Sequence, residues 1–167
     1  MHPRGVKVLG IDPGLATTGL GLVEANNSQE LSAIDWLVIA TKAGIPLAKR
    51  LEEIRNDLRA YIKEYQPEIA VVEKLFFSTN ERTALDVAHA RGVILLTLAE
   101  EEIPFLEPNP MTLKSCITGD GRADKKQMQD MLCRILRLEE IPHPDDAADA
   151  LALAVFGALQ QSTISLT

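Results

Sequence analysis

Apolar positions along this chain follow two rhythms. Residues 6–12 form a near-continuous apolar run with β-branched members and a Pro-Gly turn behind it, which reads as a buried strand. Residues 17–24 and 31–41 are further strand candidates, separated by the turn-forming Asn26-Asn27-Ser28. The period then changes. Leu47, Leu51, Ile54, Leu58, Ile62 and Tyr65 recur at spacings of three and four, which makes one apolar stripe on a helix. Pro67 stops that helix, and residues 68–73 (EIAVVE) return to an uninterrupted strand pattern.

Ser78 with Glu81 three residues on forms a capping box, so a helix is expected from there to about Glu101. Its middle carries Ala84, Ala88, Ala90 and Gly92, small residues that permit close helix approach. A short strand at Phe105-Leu106, a helix from about Pro110 and a helix over 123–138 follow. The last helix opens after Pro144 and is expected to run through Ala158. Strands, a helix and then another strand describe an α/β sheet with helices on its faces. The right-handed crossover rule lets the strands starting at Val6 and Ile69 lie parallel and adjacent. No linker or repeat divides the chain, so residues 1–160 are read as a single domain and 161–167 as a disordered tail.

The 167 residues suffice to bury a core, and 46% hydrophobic with 25% charged residues is ordinary globular composition. No apolar run reaches the roughly 18 residues of a membrane span. The first residues have no apolar segment behind them that would make a secretory signal. Cys116 and Cys133 are too few for a disulfide framework or a cysteine zinc site. The expectation is a cytoplasmic protein with reduced thiols. A net charge of −7 argues against a simple nucleic-acid binder. Residues 110–138 reverse the sign locally, with Lys114, Arg122, Lys125, Lys126, Arg134 and Arg137 against Asp120, Asp124 and Asp130. That stretch suits an electrostatic footprint or, equally, a solvated helix face.

Asp12 and Glu73 each end an apolar strand. In parallel neighbours the backbones lie about 4.8 Å apart. Both acids then enter the crevice where open α/β sheets place their chemistry. Taken alone, Asp12 reads equally as the residue opening the Pro13-Gly14 turn, and Glu73 as a surface acid. Asp146 and Asp149, spaced i, i+3, share one face at the start of the last helix. The helix dipole explains part of this placement, and Asp145 after Pro144 suits the N-cap. Asp149 sits deeper, among Ala147, Ala148 and Ala150, where another layer packs close and an acid needs a partner. Four acids held together repel unless cations compensate. An all-oxygen set suits Mg²⁺ or Mn²⁺ rather than zinc. Two such ions about 4 Å apart activate a water and stabilise the leaving oxygen of a phosphodiester. Phe76 and Phe77 follow Glu73, and one ring is expected at the mouth of the site, where it can stack on an unpaired base.

Five motifs then occur in order: GIDPG at 10–14, EKLFF at 73–77, ARG at 90–92, GRADKKQ at 121–127 and DDAADALALA at 145–154. Together they resemble the RuvC family of bacterial Holliday-junction resolvases, from about Val6 to Ala158. The resemblance implies a ribonuclease H-like α/β fold, a mixed five-stranded sheet with helices on both faces. It implies a homodimer making paired symmetric cuts in four-way junction DNA during recombination and repair, with the RuvA-RuvB branch-migration complex as partner. It puts the catalytic, metal-binding acids on Asp12, Glu73, Asp146 and Asp149, excludes Asp145, and calls for two Mg²⁺ (or Mn²⁺) per subunit. It puts base stacking on Phe76 and matches Lys114 and Lys125 to basic positions near the scissile phosphate. A lysine there neutralises phosphate charge or stabilises the transition state. Arg122 and Lys126 are further phosphate-contact candidates, and Gly119-Asp120-Gly121 reads as a mobile turn. The helix with Ala84, Ala88 and Gly92 is the candidate dimer face, with packing onto its own sheet as the other use.

Three rivals remain. Asp12-Pro13-Gly14 with Thr17, Thr18 and Gly19 also resembles the phosphate-binding hairpin of actin-like ATPases, which need two lobes where this length supplies one. A non-catalytic junction-binding module is disfavoured by acids at all four positions. A related ribonuclease H-like nuclease acting on another nucleic-acid structure is the third.

Overall fold

The computed structural model describes residues 5–26, 30–74 and 81–164. In chain order the elements are β1 (Val6–Asp12), β2 (Thr17–Ala25), β3 (Leu31–Ala40), α1 (Leu47–Tyr65), β4 (Ile69–Val72), α2 (Glu81–Glu100), β5 (Phe105–Leu106), α3 (Pro110–Thr118), α4 (Lys125–Leu136) and α5 (Asp145–Ile164). The strands form one sheet in the order β3-β2-β1-β4-β5. β1, β2 and β3 pair antiparallel as a meander. β4 pairs parallel with β1, and β5 parallel with β4, each reached by a helical crossover. Ile11 stands opposite Val72, so Asp12 and Glu73 leave adjacent strands side by side.

Strand alternation divides the core in two. Leu9, Ile11, Leu20, Leu22 and Val72 face α1 and α2. Val8, Val23 and Val71 face α3, α4 and α5. By the same alternation Gly10, Asp12, Thr17, Gly19, Gly21 and Glu73 belong to the α5 side. The sheet is therefore buried on both faces, which is why its central strands read as continuous apolar runs.

The helix–sheet contact on the α5 side is unusually close. A Cβ on Gly10 would lie 1.8 Å from the Ala150 carbonyl oxygen, one on Gly19 2.0 Å from that of Asp146, and one on Gly21 2.5 Å from Leu151 N. Ala147, Ala150 and Ala154 on α5 are fully buried against this bare strip. Backbone thus packs on backbone, and the first turns of α5 are laid directly over the ends of β1 and β2.

Several boundaries differ from expectation for local reasons. α4 starts at Lys125 because Asp124 is its N-cap, in a capping box with Gln127. Pro144, not Asp145, takes the N-cap place of α5, since its carbonyl accepts from Ala147 N and Ala148 N. α5 continues to Ile164, into the segment expected to be a tail. The 119–121 turn is closed by its own bonds: Asp120 N donates to Thr118 Oγ1 (3.1 Å) and Arg122 N to Asp120 Oδ1 (2.8 Å). Ser78 and its expected capping box lie outside the described residues. Among the described residues, no helix is long and apolar enough to cross a membrane.

Candidate active site

β1 delivers Asp12 to the carboxyl edge of the sheet, and α5 delivers Asp146 and Asp149 from above. One carboxylate oxygen from each lies within 4.8 Å of the other two. No apolar wall separates them, because Gly19, the strand partner of Asp12, lets the α5 backbone settle at this spot. Glu73 follows the end of β4 beside this group, near enough to raise Asp12 and to be raised in turn by Asp149. Of the four acids expected from the sequence, Asp12, Asp146 and Asp149 therefore meet within one group, and Glu73 stands beside it rather than in it.

The electrostatics are those of a site short of positive charge. Burial, then Asp149, Asp146 and Glu73 in turn, together with a hydrogen bond to Asp146, push the Asp12 carboxyl up to about 8. Burial and Asp149 also raise Glu73, against a smaller opposing pull from Lys114. Asp149 is raised chiefly by burial and lowered in part by Lys125. A divalent cation among these oxygens would remove the repulsion, and the donor set is hard oxygen throughout. The residues present fit such an ion.

Basic residues reach the same place from the other side. Lys114 on α3 and Lys125 on α4 line a cavity of about 210 Å³ with Glu73 and Asp149, floored by Leu113, Met128 and Leu132. Lys125 Nζ donates to Asp145 Oδ2 at 2.5 Å, so Asp145 pins a lysine beside the acids rather than capping its helix. Arg122 and Lys126 are exposed and do not line this cavity. Phe76 lies outside the described residues.

Two supports went unread in the sequence. Thr17 Oγ1 donates to Asp146 Oδ2 at 2.6 Å. Arg91, the centre of the ARG motif, donates from Nε to the Glu73 carbonyl oxygen (3.3 Å) and pairs through Nη2 with Glu107. An arginine among the apolar and small residues of the helix was the available signal for the second, and the structure leaves it half-buried.

The family profile described as "Crossover junction endodeoxyribonuclease RuvC" matches residues 8–157. The chain belongs to the RuvC family. A RuvC of Chloroflexus aurantiacus is 49% identical over 159 residues, covering 95% of this chain and 96% of the relative. A RuvC of Caldicellulosiruptor saccharolyticus is 44% identical over the same shares. The Thermus thermophilus RuvC solved in complex with Holliday junction substrate superposes with a TM-score of 0.89 at 31% identity, over 95% of this chain and 96% of that one. The mixed sheet with helices on both faces is the ribonuclease H-like arrangement of these RuvC structures. The match spans β1 through most of α5, hence every element that carries an acid.

Proposed function

We propose that the chain is a structure-specific endonuclease that resolves four-way DNA junctions by paired, symmetric phosphodiester hydrolysis, using two Mg²⁺ ions per subunit. The convergence of Asp12, Asp146 and Asp149 within 4.8 Å, with the Asp12 carboxyl raised to about 8, carries this reading. Asp12, Glu73, Asp146 and Asp149 hold the metals. Bound there, the ions supply an activated water and stabilise the departing oxygen. Lys114 and Lys125 orient the scissile phosphate above the acids, and Arg122 and Lys126 touch phosphates farther along the strand. Phe76 stacks on a base near the crossover.

The junction has approximate two-fold symmetry, so two identical sites on a two-fold axis suit it. On α2, Ala90, Ile94 and Leu98 are buried on the protein's own core, while Leu85 and Leu96 are 62% and 54% exposed. Leu85, Ala88, Gly92 and Leu96 form a second stripe, which serves as the dimer face. One domain over residues 1–160, a cytoplasmic site of action and hand-over from the RuvA-RuvB complex complete the reading.

The decisive experiment incubates the protein and Mg²⁺ with a synthetic mobile four-way junction, beside linear duplex and RNA/DNA hybrid. The junction alone is expected to be cut, and Asp12→Asn is expected to bind it without cutting. Cleavage of the hybrid only, or full activity of Asp12→Asn, overturns the proposal.

A further inference from the structure

The geometry points to Thr17 as a positioning residue for the metal site, acting through Asp146. This rests on the reading of Asp146 as a metal ligand. Thr17 opens β2 with its side chain on the α5 side of the sheet, and its hydroxyl donates to Asp146 Oδ2 at 2.6 Å. That bond crosses from the sheet to the first turn of α5. It fixes one oxygen of the Asp146 carboxylate from the sheet, independently of the hydrogen bond that Asp146 shares with Asp12.

The donor's chemistry suits the task. A lysine or arginine in this place would orient Asp146 but also neutralise it, and would compete with a cation for the same charge. A hydroxyl orients one oxygen and leaves the full negative charge, with lone pairs still open on both oxygens. Carboxylates that ligate metals are as a rule themselves held by hydrogen bonds from groups just behind them.

Thr17 is itself held firmly. The loop between Asp12 and Thr17 is tied back by Thr18 Oγ1 donating to the Gly14 carbonyl oxygen (2.7 Å). Thr41 grips it from the neighbouring strand end, with N donating to the Ala16 carbonyl oxygen (3.0 Å) and Oγ1 to that of Leu15 (2.5 Å). Arg50 Nε on α1 donates in turn to Thr41 Oγ1 (2.8 Å). Hydrogen bonds thus anchor the loop that follows Asp12 to α1, and the backbone of that loop leads directly into Thr17 and its bond to Asp146. Asp12 and Asp146, from opposite layers, are referred to the same short loop.

A purely structural tie between β2 and α5 is a different idea with different consequences. The two elements already touch through Gly19 and Gly21, so that contact survives loss of the hydroxyl. The test compares wild type, Thr17→Val, Thr17→Ser and Asp12→Asn. Mn²⁺ affinity is read by electron paramagnetic resonance on the protein without DNA. Melting and junction binding are measured in EDTA, and cleavage is followed across a Mg²⁺ titration. Thr17→Val is expected to bind Mn²⁺ about 10- to 100-fold more weakly. Its half-saturating Mg²⁺ for cleavage should rise in parallel, while junction affinity in EDTA stays at the wild-type value and melting falls by no more than the loss of one hydrogen bond gives. Thr17→Ser should restore the affinity. The positioning role is overturned if Thr17→Val binds Mn²⁺ as wild type does, or if Thr17→Ser fails to rescue it. If wild type binds no Mn²⁺, or Asp12→Asn binds it equally well, the metal reading of the four acids falls first, and the role of Thr17 with it.

Discussion

Gly19→Ala is the sharpest probe of how this site is assembled. The new methyl carbon would lie 2.0 Å from the Asp146 carbonyl oxygen and 2.5 Å from its carbonyl carbon, where real contacts stay above 3.0 Å. One backbone must retreat by about 1 Å or more. β2 cannot do so cheaply, because Gly19 is paired with Asp12 on one side and Val38 on the other. The first turn of α5 therefore gives way, and it carries Asp146, with Asp149 one turn behind. Misplacing reacting groups by about 1 Å costs on the order of 100-fold in rate. Overpacking of this kind costs about 1–3 kcal/mol of stability. Single-turnover cleavage of a four-way junction and urea unfolding in EDTA read the two effects separately. Junction binding without metal should persist. Gly21→Ala meets Leu151 N at 2.5 Å, farther along α5, and should lose stability with less loss of rate. If Gly19→Ala cut the junction at the wild-type rate with an unchanged unfolding midpoint, the close helix–sheet contact would not be what sets the acids.

Asp12→Asn should raise metal-free stability at neutral pH while abolishing cleavage, since folding no longer has to hold a proton on this carboxyl or its charge beside the other acids; paired melts and cleavage assays check this. The same carboxyl predicts a pH dependence. Its pKa rises from 3.8 to about 8 on folding, so the folded protein keeps a proton that the unfolded chain has released. Metal-free stability should therefore fall as pH rises from about 4 to about 8 and then level off, and urea midpoints in EDTA between pH 5 and 9 should show a steeper slope in wild type than in Asp12→Asn, where the raised Glu73 and Asp149 remain. Arg91→Met leaves Glu107 without its ion-pair partner and the Glu73 carbonyl without its donor; a loss of about 1–3 kcal/mol together with slower cleavage is expected. Asp145→Asn frees Lys125 and should tighten junction binding, with a steeper salt dependence in a binding titration.

Most of the frame was legible in the sequence because periodicity and burial agree there. The strand ending at Asp12 and the helix from Leu47 to Tyr65 follow from apolar spacing alone, and the parallel β1–β4 pair follows from the crossover rule. Boundaries set by side-chain capping were less legible, as with Asp124, which closes a capping box through Gln127 and so moves the start of α4. Asp145 misled in another way. Its place after Pro144 suits an N-cap, but Lys125 lies twenty residues earlier in the chain and beside it in space, and pattern along a sequence does not carry such pairings. The convergence of Asp12 with Asp146 and Asp149 needed the resemblance to known motifs, because the glycines that permit it look like turn or strand-weakening residues until α5 is laid across them. Thr17 had the same difficulty: its partner is 129 residues away.

The bare glycine strip under α5 has a consequence for how such a sequence can drift. On the opposite face, Leu9, Ile11, Leu20 and Leu22 meet α1 and α2 through a thick layer of interlocking aliphatic side chains. Swaps between large and small partners there can be absorbed by repacking, with little displacement reaching the acids. Beneath the first turns of α5 there is no such cushion, and any gain of volume pushes on the helix backbone itself, at Gly19 on that of Asp146. A library randomised over both faces should therefore divide sharply. The α1/α2 side will accept many aliphatic combinations that keep cleavage, while an added carbon on the strip of Gly10, Gly19 and Gly21 will cost stability at each position and cleavage most of all at Gly19.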